Sequence, residues 1–211
     1  MQDKKGHDGG DATAAFKDML GLVNFQSDAY KLTSLGWEIL EPCSEAEVQE
    51  VGKEVEAFLV DYQEPTDAFI LTFNEQDKQV SLPHLFEKQY LNKEQHFGNL
   101  SDEFPLGEFT VKLKSDLSCL ETETPLMIRF ATKGHDPFFP LLPSIWTPSN
   151  SSRYQLESVL VAGTGHATVF HRDKDGTFVC FDDGAVSRFS EKEAKKIFDN
   201  HAVSGFYKKL L

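Results

Sequence analysis

Val159 to Val186, VLVAGTGHATVFHRDKDGTFVCFDDGAV, restricts the possible folds of this chain more than any other stretch. Val159, Leu160, Val161, Val169 and Phe170 are mostly β-branched or aromatic and suit a buried strand. Asp173-Lys174-Asp175-Gly176 supplies turn chemistry, and Thr177 to Phe181 resumes the strand, so the stretch reads as one β-hairpin. His166 follows Gly163-Thr164-Gly165, where missing side chains let backbone or a thin substrate come close. Asp182 and Asp183 end the returning strand, and folding the hairpin carries them back towards His166. A histidine whose ring is oriented by a carboxylate is two-thirds of a hydrolytic triad.

The rest of the chain divides by pattern. Residues 1–15 are polar and glycine-bearing and are expected to be a flexible lead-in. Residues 16–99 read as mainly helical. Ser27 and Asp28 are cap residues ahead of Tyr30, Leu32, Leu35 and Ile39, which predicts a helix with Ala29 in its first turn. Ser44 and Glu47 form a capping box before Val48, Val51, Val55, Phe58 and Leu59. Thr66-Asp67-Ala68 opens an apolar segment to Phe73, and Ser81-Leu82-Pro83 starts a further helix through Tyr90. Residues 100–211 are strand-rich: Glu108–Leu113, Pro125–Thr132, Tyr154–Val161, the hairpin, and a closing strand from Val203, with a short helix capped by Ser190 and Glu193. Helices first and strands second is α+β organisation, with a cleft expected between the halves.

Composition removes several function classes. Lysine and arginine number 21 against 34 acidic residues, a net charge of −13, which disfavours nucleic acid and anionic membranes and suits a basic or neutral partner. No apolar run is long enough to span a bilayer, and the N-terminal residues lack a signal-peptide core. The three cysteines include no CxxC pair, so neither a disulfide framework nor a zinc ribbon is expected. No metal or cofactor is anticipated: the other histidines lack metal-ligand spacing, and the Asp173–Asp182 stretch lacks the helices and final glutamate of a calcium loop. A cytosolic monomer is the expectation.

Two stretches resemble the ubiquitin-specific protease class of papain-like cysteine proteases. That family opens with Gly-Leu-x-Asn-x-Gly-Asn-Thr-Cys-Tyr, and this chain offers Gly21, Leu22, Asn24, Tyr30 and Leu35 in that register, with Thr33 in place of a serine. A second box is matched in order by Tyr154, Leu156, Val159, Gly165, His166, Phe181, Asp182, Asp183 and Val186. Gln26, Ser27, Asp28 and Ala167 depart from the pattern, and the zinc-bearing finger insertion of the family has no counterpart. The resemblance implies a papain-like fold without fingers, a thumb-like helical half and a palm-like antiparallel β half.

It also implies roles. Ala29 stands at the position of the nucleophilic cysteine, so the chain as written has no nucleophile there. His166 would be the base and later the acid, Asp182 would hold its tautomer, and Asp183 would be alternate or helper. Asn24 would donate to the oxyanion, a contribution of about 10²–10³ in rate. Asp67 resembles a family position that grips the basic ubiquitin tail, although the second acidic position is lost at Ile70 and an ordinary helix start is the alternative. Gly163, Gly165 and Tyr154 would border the substrate. A cysteine at 29, in the first turn of a helix, would have its thiolate favoured by the helix dipole. The implied function is a deubiquitinase that cleaves after ubiquitin's C-terminal glycine, inactivated by Ala29. The alternatives are a natural ubiquitin-binding pseudoenzyme and a protease for a ubiquitin-like modifier. The compact, fingerless pattern is also compatible with a bacterial effector acting in a host cytosol.

Overall fold

The computed structural model describes residues 30–66, 68–73, 80–98, 108–119, 125–132, 141–148, 152–163 and 166–210. Ten residues with a two-residue burial period begin it. Tyr30 and Leu32 are buried while Lys31 and Thr33 are not, so Tyr30–Ile39 is a strand, β1. The helix expected there is therefore corrected. A helical face would have buried Leu35, which is 64% exposed. Gly36, at φ 141°, takes up a bulge after Ser34, where the register against the partner strand shifts by one.

The expected capping box is present: Ser44 Oγ accepts from the Glu47 amide, Glu47 accepts from the Ser44 amide, and α1 runs Glu45–Tyr62. Ala68–Phe73 forms β2. Leu82–Phe86 forms α2, which continues as a π-helical turn over Glu87–Leu91. Next come β3 (Asn92–Phe97), β4 (Phe109–Cys119), β5 (Leu126–Thr132) and the short β6 (Ile145–Trp146). The series ends with β7 (Tyr154–Gly163), β8 (His166–Arg172), β9 (Phe178–Asp182), β10 (Ala185–Phe189), α3 (Glu191–His201) and β11 (Ala202–Lys209). The expectation that residues 16–99 are mainly helical is thus corrected by β1, β2 and β3. Their side chains alternate between apolar and polar, or form a short apolar run, and these are strand patterns.

Two sheets result. A three-stranded antiparallel sheet, β1-β4-β3, carries α1 on one face, where Val51 and Val55 pack with Phe109, Val111 and Leu113. The larger sheet runs β10-β9-β8-β7-β11-β5-β2, with β6 paired to β7 off that path. It is antiparallel except where β2 lies parallel to β5, so a strand from the first hundred residues completes the sheet of the second. The two halves read from sequence are therefore interleaved. The stretch Val159 to Val186 contributes parts of four strands of this sheet, where one hairpin was expected. Strand β11 lies between β7 and β5, and α3 packs on the same sheet, with the Phe198 ring edge-on to Phe170 and Phe178 at 5.2 and 5.1 Å. Among the described residues, no helix is long and apolar enough to cross a membrane.

Candidate functional site

Strand register brings the predicted histidine and aspartate together. Gly163 is opposite His166, Val161 opposite Thr168, and Val159 opposite Phe170. Phe170 is in turn opposite Cys180, so side chains from Phe178, Cys180 and Asp182 share a face with Phe170, Thr168 and His166. Along that face the apolar core runs through Phe170, Phe178 and Cys180 and then stops. Beyond it His166 Nε2 donates to Asp182 Oδ1, a diagonal contact between adjacent strands. The two side chains are 45% and 49% exposed, so the pair forms a rim where the core ends.

Asp183 owes its position to a feature missed in the sequence. Asp182 pairs with Ala185 across a two-residue turn, Asp183-Gly184, with φ 43° and 88°. Positive φ at both central residues is the type I′ hairpin geometry, and Asp-Gly is its strongest short signal. The turn holds Asp183 Oδ2 3.7 Å from His166 Nδ1, so each ring nitrogen has a carboxylate near it. The imidazole pKa is consequently raised. The Asp182 hydrogen bond is the main cause, followed by the charges of Asp182 and Asp183, against a smaller opposing effect of desolvation. An imidazolium held in this way favours a thiolate in a partnering cysteine.

The described thiols do not supply that partner. Cys180 is buried, and its thiol is pushed up by burial and then by the Asp182 charge, against a hydrogen bond with Thr168. Cys43 is half-buried beside the apolar cluster of α1 and β4. The donor atoms of His166, Asp182 and Asp183 lie within 4.8 Å of one another, so these three exposed residues could hold a divalent cation. With Nε2 already bonded to Asp182, the geometry is that of an oriented imidazole.

Of the remaining site residues, Asn24, Ala29, Asp67 and Gly165 lie outside the described residues. Gly163 is described and faces His166 across the β7–β8 pair. Tyr154 is corrected: it is fully buried, packed in the core at the start of β7, and cannot border a substrate. Ten residues at about 3.3 Å each put it roughly 30 Å from Gly163 along the strand. Tyr30 belongs to Tyr154's end of the molecule. Its ring centroid is 6.3 Å from that of Tyr154, and its amide donates to Thr66 O at 2.9 Å. The helix expected to follow position 29 is β1, so the helix-dipole argument for a cysteine there has no helix behind it.

No protein-family model matches the sequence, and neither does any curated protein. Solved structures do match. A chain of the yeast SAGA DUB module with a mutant Sgf73 has a TM-score of 0.53 at 16% identity, covering 92% of this chain and 45% of that one. A chain of the Ubp8-Sgf11-Sgf73-Sus1 SAGA DUB module has a TM-score of 0.52 at 14% identity, covering 88% and 40%. The present chain thus spans less than half the length of either neighbour. At these identities the likeness is one of fold alone: mixed α and β, mostly sheet, as in those chains of the SAGA DUB module.

Proposed function

We propose that this chain carries the acid–base half of a thiol-dependent deubiquitinase and recognises ubiquitin or a close relative of it. The observation behind the reading is the His166–Asp182 bond at the exposed rim of the large sheet, in a fold like that of a deubiquitinating module. His166 would take the proton of an attacking thiol on Nδ1, the nitrogen that Asp182 leaves available, and return it to the leaving amine. Asp182 would hold the ring and stabilise its cation. Gly163 opposite the histidine leaves room for a substrate tail without side chains. The chain's net charge of −13 suits a basic protein surface.

The source of the thiol divides this proposal. In the first reading it is a cysteine at position 29, replaced here by Ala29, and the chain as written binds without cleaving. The second reading takes the thiol from a second polypeptide, since the undescribed residues of this chain contain no cysteine. It is favoured by the anchoring of Tyr30 to Thr66 and Tyr154, at the opposite end of β7 from His166.

Restoring a cysteine by Ala29→Cys separates the two. Under the first reading the variant cleaves a ubiquitin-amide reporter, and adding His166→Ala abolishes the cleavage. Under the second it neither cleaves nor labels with a ubiquitin electrophile, while the unmodified chain still binds ubiquitin in a titration. Failure to bind ubiquitin or any ubiquitin-like modifier would remove the functional proposal altogether.

A further inference from the structure

The two outer edges of the large sheet are finished in opposite ways. On β2 the outward backbone groups are matched atom by atom by side chains of the π-helical turn. Tyr90 Oη accepts from the Ile70 amide at 3.1 Å and donates to the Ile70 carbonyl at 2.7 Å. Gln89 repeats the pattern two residues on, its Oε1 accepting from the Thr72 amide at 2.9 Å and its Nε2 donating to the Thr72 carbonyl. A strand edge is thereby closed to other chains.

At the other edge, β10 pairs only with β9 among the described strands, and four of its five residues are exposed. Because Asp182 and Ala185 close a two-residue turn as a hydrogen-bonded pair, the pairs alternate from there, and Val186 and Arg188 turn their N–H and C=O groups outward. Val186 is also the end of an apolar row. Val169 faces Phe181 and Phe181 faces Val186 across three strands, on the face opposite α3, and the three are 40%, 49% and 64% exposed. The surroundings are acidic. Asp183, at the head of β10, is 87% exposed. At the other end Arg188 is already matched by Asp173 and Asp175 at 2.8 and 3.6 Å.

We infer that the open edge of β10 is a strand-addition site for an extended segment of a partner protein, basic where it meets Asp183 and apolar at alternate residues along the Val186 row. Main-chain hydrogen bonds to Val186 and Arg188 supply the pairing, and the apolar row and Asp183 select the sequence. A second copy of this chain fits poorly. The two-fold register that uses both outward residues pairs Val186 with Arg188 of the other copy and so sets Asp183 against the other copy's Glu191. The inference does not depend on the proposed chemistry, and its test reads binding alone.

The probe is the peptide acetyl-Val-Thr-Val-Thr-Lys-Lys-amide, titrated into the full chain and followed by amide hydrogen exchange. Saturating peptide is expected to slow exchange at Val186 and Arg188 by about tenfold while Ser187, already bonded to β9, is unchanged. N-methylation of the backbone at both valines of the peptide removes its donors without touching the protein and should weaken binding by about tenfold. Val186→Pro, which removes an outward amide and leaves the β9 ladder in place, should do the same. Replacing the lysine pair by glutamates should weaken binding further. Unchanged exchange at Val186 and Arg188 under millimolar peptide, or equal binding of the N-methylated peptide, overturns the inference. Protection that grows with protein concentration in the absence of peptide also overturns it, in favour of self-pairing.

Discussion

His166 is a half-exposed imidazole with a carboxylate near each nitrogen, and its protonation follows from that placement. The hydrogen bond to Asp182 is the largest cause of its raised pKa, so Asp182→Asn should move the imidazole midpoint back down towards the ordinary value of about 6.5. An NMR titration of the ring protons measures this, and an unmoved midpoint would show that Asp182 does not govern the ring. The linkage has a definite sign. A folded-state pKa above the unfolded one gives a stabilisation that is complete below the unfolded value and is lost as pH rises through the raised midpoint. Asp183→Asn should produce a smaller shift in the same direction, because its contribution is the smaller coulombic one. At this scale the sequence was informative where chemistry and spacing agreed: a histidine after a glycine pair and two aspartates at a strand end do meet. Tyr154 was misread because a match to a family box says nothing of burial, and tyrosine serves a core as readily as a surface.

Elements fared according to how local their signals are. Both capping boxes, Ser44 with Glu47 and Ser190 with Glu193, are formed as read, since each is decided within four residues. Strand β1 was hidden because Ser27 and Asp28 mimic a helix start and because its buried residues, Tyr30 and Leu32, are set by pairing with β4, far along the chain. The π-helical turn has no sequence signature, yet it delivers Gln89 and Tyr90 to the β2 edge. Gln89→Ala would leave the Thr72 amide and carbonyl without that partner, at a cost of about 1–3 kcal/mol. It should lower the urea midpoint and raise the tendency to associate in size-exclusion chromatography. A variant that keeps both the wild-type midpoint and the elution volume would show that this edge needs no such closure.

The whole molecule could not be read from local pattern, because its two sheets exchange material across the chain. Placing β2 beside β5 and β11 between β5 and β7 depends on contacts between distant residues. Gly205 marks how tightly the centre of the large sheet is filled. A β-carbon there would lie 3.3 Å from the Tyr207 ring and 3.6 Å from Leu156 Cδ1. Gly205→Val should overpack this point and cost about 1–3 kcal/mol in denaturant unfolding. An unchanged stability would mean that the surrounding core yields more than close packing implies. Gly205 pairs with Val159, four residues along β7 from the Gly163 that faces His166, so the imidazole midpoint should stay where it is in the folded variant.

The central place of β11 also has a temporal side. During synthesis every other strand of the large sheet emerges from the ribosome before residues 202–209, so a nascent chain holds two unjoined fragments, β7 to β10 and the β5–β2 pair. Each exposes an edge that, among the described strands, β11 alone covers, and termination between Phe189 and Ala202 would leave both fragments as substrates for chaperones and proteases.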